Sequence, residues 1–248
     1  MRSTRWGVGL LMAALVTALP ASYAASDAAG SDRPTVGDCH TLTFKQISHV
    51  TETSAPVPCS SAHTSRVIKV ADLPSGTTWA SLTPTQISQL GVTECTPALR
   101  RTLGQNDKVR DSTSYGWVFF APTQAQQTSG ANWIRCDMVL LKGLALKALP
   151  TDKVPALSSS RPSDKVRRCT TGKNHYNTIC SASHDYRSTG AFTVKGRYPG
   201  DTKLAGIARH RCPALVSTPR RFLYAHQSKF TWNNEHDHAV ICFSHRSN

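Results

Sequence analysis

Two Cys-x-x-x-His elements, Cys59-Ser-Ser-Ala-His63 and Cys180-Ser-Ala-Ser-His184, bring together the residue types best suited to chemistry. Cysteine beside histidine can ligate zinc, supply an activated thiolate, or form a disulfide next to a structural imidazole. His236-Asp237-His238 adds a His-x-His pair, a spacing that zinc sites use. No Cys-x-x-Cys pair accompanies these residues, and a cysteine held in a bridge cannot attack as a thiolate. Gly-x-Ser-x-Gly, Ser-x-x-Lys and His-Glu-x-x-His are missing as well. The reading is therefore no catalytic residue, no metal and no cofactor; the alternative is an exported cell-wall enzyme or enzyme inhibitor with a dispersed site.

His63 and His184 sit at the same offset from a cysteine in the two halves. They could line a binding groove, or each could hydrogen-bond the backbone near its bridge; a repeated landmark favours the second reading. Trp79, Trp117 and Trp133 read as core or rim residues rather than a platform for sugar stacking. Trp232, beside Lys229 and Phe230 in an expected loop, is the exception. With Arg220, Arg221, Lys229 and His184 it forms the candidate binding set.

The elements that must position these residues occur twice. Cys39, Cys59, Cys95 and Cys136 fall in the first half, and Cys169, Cys180, Cys212 and Cys242 in the second. In the first half, alternation over 41–45, a threonine- and valine-rich run over 48–57 and alternation over 63–70 predict strands, with Pro56 and Pro58 confining the middle one to an edge or end. Thr83-Pro84-Thr85-Gln86 opens a helix with a capping box, and Pro97 predicts a kink or two short helices before Gly104. Strand-like segments follow over 115–121 and 133–141, joined by a polar loop over 122–132. The second half repeats the order: Asp201 as N-cap, a helix carrying Cys212, strands over 221–226 and 239–244, and a loop over 229–238. Four cysteines allow three connectivities per half. The pattern with fewest crossings is Cys39–Cys59 with Cys95–Cys136, and Cys169–Cys180 with Cys212–Cys242. The expected fold is α+β: two tandem small modules, each an antiparallel sheet with one or two short helices and two disulfides.

Arg2 and Arg5, an apolar run over 6–19, Pro20 and Ser22-Tyr23-Ala24 have the layout of a signal peptide over 1–24. The run is too short to span a bilayer, and no transmembrane segment is expected in the mature chain. A leader over 25–34, the first module over 35–148, a proline- and serine-rich linker over 149–163 and the second module over 164–248 complete the organisation. Export makes eight cysteines read as bridges, and the location is secreted or envelope-associated, where no nucleic acid is expected. Residues 25–160 carry a net +2 and residues 161–248 a net +10, with seven of the ten histidines in the latter stretch. An anionic cell-wall polymer, lipid head groups or an acidic envelope protein should meet that half first.

The first module resembles the actinobacterial septum-formation domain family. The resemblance rests on Val36-Gly37-Asp38-Cys39, Val57-Pro58-Cys59 with His63 and Val67, a helix carrying Cys95, an aromatic strand ending in Pro122, and Trp133-Ile134-Arg135-Cys136. Ala62 and Ser183 replace the proline that the family usually places before the histidine, and the second module lacks Gly-Asp before Cys169. The resemblance implies an exported, two-disulfide envelope module connected with cell division, present here as two copies of which the second is diverged. A non-catalytic protein binding an anionic envelope component or protein partner is the expected role.

Overall fold

A computed structural model describes residues 33–151, 157 and 161–246. The expected signal peptide and nearly all of the leader lie outside the described residues. The first sheet contains β1 (Cys39–His40), β2 (Ser65–Asp72), β3 (Tyr115–Phe120), β4 (Trp133–Lys142) and β5 (Ala145–Lys147), in the order β1-β2-β4-β3 with β5 on β4. The second contains β6 (Arg168–Thr171), β7 (Tyr176–Ile179), β8 (Tyr186–Thr193), β9 (Phe222–His226) and β10 (Ala239–His245), in the order β7-β6-β8-β10-β9. All strand pairs are antiparallel. The helices are α1 (Pro84–Leu103), α2 (Asp107–Asp111), α3 (Gln124–Thr128), α4 (Asp201–Arg211) and α5 (Lys229–Asn234).

The two sheets share one path. A lone bridge between Cys39 and Val57 stands beside β1 where the second module has β7 beside β6. The strand expected over 48–57 shrinks to that bridge and one between Thr51 and Ala121, because Pro56 and Pro58 have no N–H to extend a ladder. The strand expected over 41–45 is also absent; a short 3₁₀ turn, Gln46–Ser48, follows instead. The disulfides are Cys39–Cys59, Cys95–Cys136, Cys169–Cys180 and Cys212–Cys242. In each module one bridge ties the first strand to the segment beside it, and the other staples the helix to the central strand.

α1 begins as its sequence dictates. Thr83 Oγ1 accepts from Gln86 N, and Gln86 Oε1 accepts from Thr83 N at 2.9 Å. It runs unbroken through Pro97, contrary to the expected kink or split. The covalent staple of Cys95 to β4 and the burial of Ala98, Leu99 and Leu103 hold the turn on either side of the missing donor. Asp201 is the first residue of α4, and Gly200, at φ +91°, is its N-cap. Both polar loops before the last long strand contain a capped helix. Thr123 and Gln126 form a capping box for α3, and Ser228 Oγ accepts from Thr231 N at 3.1 Å to start α5.

The modules do not hang on a solvated tether. Leu99, Leu103, Tyr115, Met138 and Leu140 of the first share a core with Ile179 of the second and with Leu149 and Leu157 from the expected linker. Leu149 N donates to His63 O, and Leu157 N to Leu103 O, each at 2.9 Å. α2, which has no counterpart in the second module, packs against β8 and β10.

Candidate functional site

Arg220 and Arg221 precede β9, whereas Lys229 follows it as the first residue of α5, so the strand stands between them. Arg220 and Arg221 are exposed and line a shallow groove with Arg209 and the half-buried Phe222, Leu223 and Tyr224. His184 stands before β8, at the same end of the sheet as Arg221, but two strands away from β9. Its Nδ1 donates to Ala182 O at 2.8 Å, and His63 Nδ1 makes the same bond to Ser61 O at 2.9 Å. The repeated imidazole thus closes a turn two residues long.

Trp232 leaves the binding set. It is fully buried in the core under α4, its Nε1 donates to Gly196 O at 3.0 Å, and the His238 ring stacks on it at 5.0 Å. α5 turns the indole inward, which the expected loop could not show. His236, Asp237 and His238 diverge: His236 is exposed, Asp237 is buried, and His238 Nε2 reaches Trp232 O at 3.0 Å.

Two concavities flank α2 where the modules meet. On one side a cavity of about 560 Å³ is lined by Lys108 of α2 and by Arg161 and Arg167, with the hydroxyls of Ser112, Ser188, Thr189 and Ser217 around them. Among the described residues no carboxylate lines it. Arg167 Nε donates to Pro162 O at 2.8 Å, and its nearest carboxylate, Asp164, lies 3.8 Å away while pairing more closely with Arg187. Burial, then the neighbouring Arg187 guanidinium, pulls the Arg167 pKa below its usual value.

On the other side of α2 lies a buried ionic cluster. Arg110 Nη2 donates to Asp237 of the second module and lies 3.3 Å from Asp111, and its Nη1 lies 2.8 Å from Asp107. Gln227 Nε2 donates to Asp111 Oδ2 at 2.7 Å, and Arg100 adds contacts to Glu235 at 3.7 Å and Asp237 at 3.8 Å. Burial first, then the Asp111 charge, push the Asp237 carboxyl up to about 7, and burial raises Asp111 as well. Sequence reasoning missed this cluster because Arg100, Asp107, Arg110 and Asp111 stand more than 100 positions from Gln227, Glu235 and Asp237, with Asp237 read only as part of a His-x-His loop.

A second buried network, within the first module, lies on the face of the sheet away from α1. Arg135 Nη2 donates to Glu52 at 2.8 Å and its Nε to Asp137 at 2.9 Å; Ser65 Oγ also donates to Asp137. These groups satisfy one another under the 46–58 segment and open on none of the cavities described above, so they serve packing. Alternation along β4 put Arg135 and Asp137 on one face and could have revealed the pair.

Among the described residues no helix is long and apolar enough to cross a membrane. Four disulfides suit an extracytoplasmic protein. No curated protein and no solved structure matches the chain. The septum-formation family matches it over residues 2–114 and again over 36–238, two overlapping stretches consistent with the tandem sheets. With most of its length so matched, the chain belongs to the septum-formation family, which ties it to a division-related role in the cell envelope.

Proposed function

We propose that this protein is a non-catalytic, exported envelope component that holds an anionic cell-wall polymer on the basic side of its second module, with the junction cavity as anchor. The observation that carries this reading is the cavity lining: Lys108 of the first module and Arg167 beside the second converge on it, and among the described residues no carboxylate lines it. Phosphate or carboxylate groups of a wall polymer match such a set, since the cations supply charge-assisted hydrogen bonds to their oxygens. The groove of Arg209, Arg220 and Arg221 extends the field over the surface. Because Lys108 comes from the first module, binding draws on both halves rather than on the second alone. Tethering to the wall suits a role at the division septum.

Cosedimentation of the full mature chain with purified wall polymer, across a salt series, tests the reading. Retention should fall steeply as salt rises, because exposed charges are screened over about 8 Å at physiological ionic strength. Lys108→Glu together with Arg220→Glu and Arg221→Glu should lower retention at least about tenfold, or ~1.4 kcal/mol. Salt-independent retention, or wild-type retention by the triple variant, sinks the binding reading. Preference for anionic vesicles over wall polymer redirects it to lipid, and soluble wall fragments would mark an enzyme.

A further inference from the structure

The second sheet has one covered edge and one open edge. β7 is covered by the first module: Gly143 N donates to Asn177 O at 3.0 Å, and Ser114 Oγ donates to Thr178 O. β9, at the other end of the order β7-β6-β8-β10-β9, has a strand on one side only. His245 N donates to Arg221 O at 3.3 Å and the register then runs on without a shift, so the backbone groups of Leu223 and Ala225 turn towards β10. Those of Phe222, Tyr224 and His226 turn outward, and among the described residues no further backbone bond reaches them. All five residues of β9 are half-buried, whereas β10 beside it is buried over 239–244.

An open edge pairs with other strands, and a strand added there gains main-chain hydrogen bonds along its length. The surroundings decide which strand fits. Side chains alternate between the two faces, so a hollow of about 430 Å³ lined by Leu223 as well as by Phe222 and Tyr224 reaches both faces along the edge of β9. Arg209, Arg220 and Arg221 line it too, and all three are exposed. Arg100, Arg110, Arg135 and Arg187 each pair with a carboxylate, but among the described residues these three do not. A second copy of β9 would bring the same arginines into one interface, where like charges repel. A strand that carries carboxylates gives each guanidinium the partner it lacks, in charge-assisted hydrogen bonds.

We propose that β9 is a docking edge for an extended acidic segment of another envelope protein, which adds a sixth strand to the five-stranded sheet and sets its carboxylates against Arg209, Arg220 and Arg221. This goes beyond the polymer reading and does not depend on it. The polymer's anchor is the junction cavity, which shares no lining residue with the hollow beside β9.

The test titrates the full mature protein, isotopically labelled, with the peptide Thr-Glu-Val-Glu-Val-Glu-Thr and with the same peptide N-methylated throughout, which keeps the charge and removes the strand's N–H donors. The unmodified peptide should shift the β9 amide signals saturably and slow hydrogen exchange at Phe222, Tyr224 and His226, with affinity falling as salt rises. The methylated peptide should bind at least about tenfold more weakly, and so should the unmodified peptide with the Arg220→Glu/Arg221→Glu variant. Lys108→Glu should bind the peptide as wild type, so failure of the polymer reading and failure of this one are distinguishable. No saturable shift at β9 would mean that the arginines only guard the edge against pairing, and would overturn the proposal. So would equal binding of the two peptides, which leaves a charge field without a strand, or undiminished binding by the double variant. Protection of the same amides that rises with protein concentration, without peptide, would give the edge to a second copy and overturn it too.

Discussion

Arg110 of the first module donates to Asp237 of the second, and the two side chains are 3% and 1% exposed. The bond joins the two modules directly. Asp111 competes for the same guanidinium nitrogen and Asp107 holds the other, so three carboxylates share one guanidinium rather than forming an isolated pair.

That asymmetry separates two substitutions. Arg110→Ala leaves Asp111 and Asp237 buried without their cation, and should cost about 3–5 kcal/mol. Asp237→Asn removes one of the crowded charges while keeping shape, and should cost less than about 1.5 kcal/mol, the range for a single hydrogen bond. Chemical denaturation of both variants checks the order; equal losses would mean the cluster is not electrostatically crowded.

The same cluster sets a pH dependence. Asp237 is pushed up to about 7 from an ordinary 3.8, so between those values the folded state holds a proton that the unfolded chain has released. Its contribution to stability is fully present below about pH 4 and is lost as pH rises towards 7. Asp111 and Glu235, also raised by burial, act in the same sense, while Arg110, Arg100, Asp107, His236 and His238 complete the charged surroundings. Glu52 opposes it: burial alone would raise it, but hydrogen bonds from Ser54 and Arg135 leave it lowered, which adds stability above its unfolded pKa. Melting temperature across about pH 4 to 8 should therefore decline less steeply in Asp237→Asn than in wild type.

Glycine substitutions should split by surroundings. A Cβ at Gly190 would lie 2.8 Å from Leu215 Cβ and 3.3 Å from its carbonyl oxygen, so Gly190→Ala should destabilise by about 1–3 kcal/mol. Gly206, inside α4, has nothing within 4 Å of that position, so Gly206→Ala should stabilise by about 0.4–1 kcal/mol. Thermal melts of the two variants moving in the same direction would contradict the packing described.

The two histidines offer a graded comparison. His63 is 1% exposed and roofed by the Leu149 amide on its own carbonyl, whereas His184 is half-buried. Both alanine variants should lose about 1 kcal/mol for the bond to the turn, with His63→Ala losing up to ~2 kcal/mol more for the buried volume. Equal losses would show that burial adds nothing to the turn-closing bond.

Local signals were legible and cross-module ones were not. Thr83 with Gln86 announced α1, the alternation over 63–70 announced β2, and the order of cysteines led to the four bridges found. Pro97 misled because a proline inside a helix is judged by the donor it lacks, while the Cys95 bridge and buried Leu99 outweigh that loss. Thr123-x-x-Gln126 was a readable capping box in a segment treated as loop, and reading it would have shown that Ser228-x-x-Thr231 repeats the idea. The junction could not be read at all: Arg110, Asp111, Gln227 and Asp237 have no periodicity in common, and only folding brings them together.

α2 exists in the first module alone; the corresponding stretch of the second, from Val216 to Arg221, contains no helix. The contact between the copies is therefore head-to-tail: one presents a wedge and the other a seat. A heterologous interface of that kind would in principle extend without end, each copy receiving the next. Here the second copy has no helix over 216–221, so the wedge-and-seat contact is made once and the second copy cannot repeat it through that stretch.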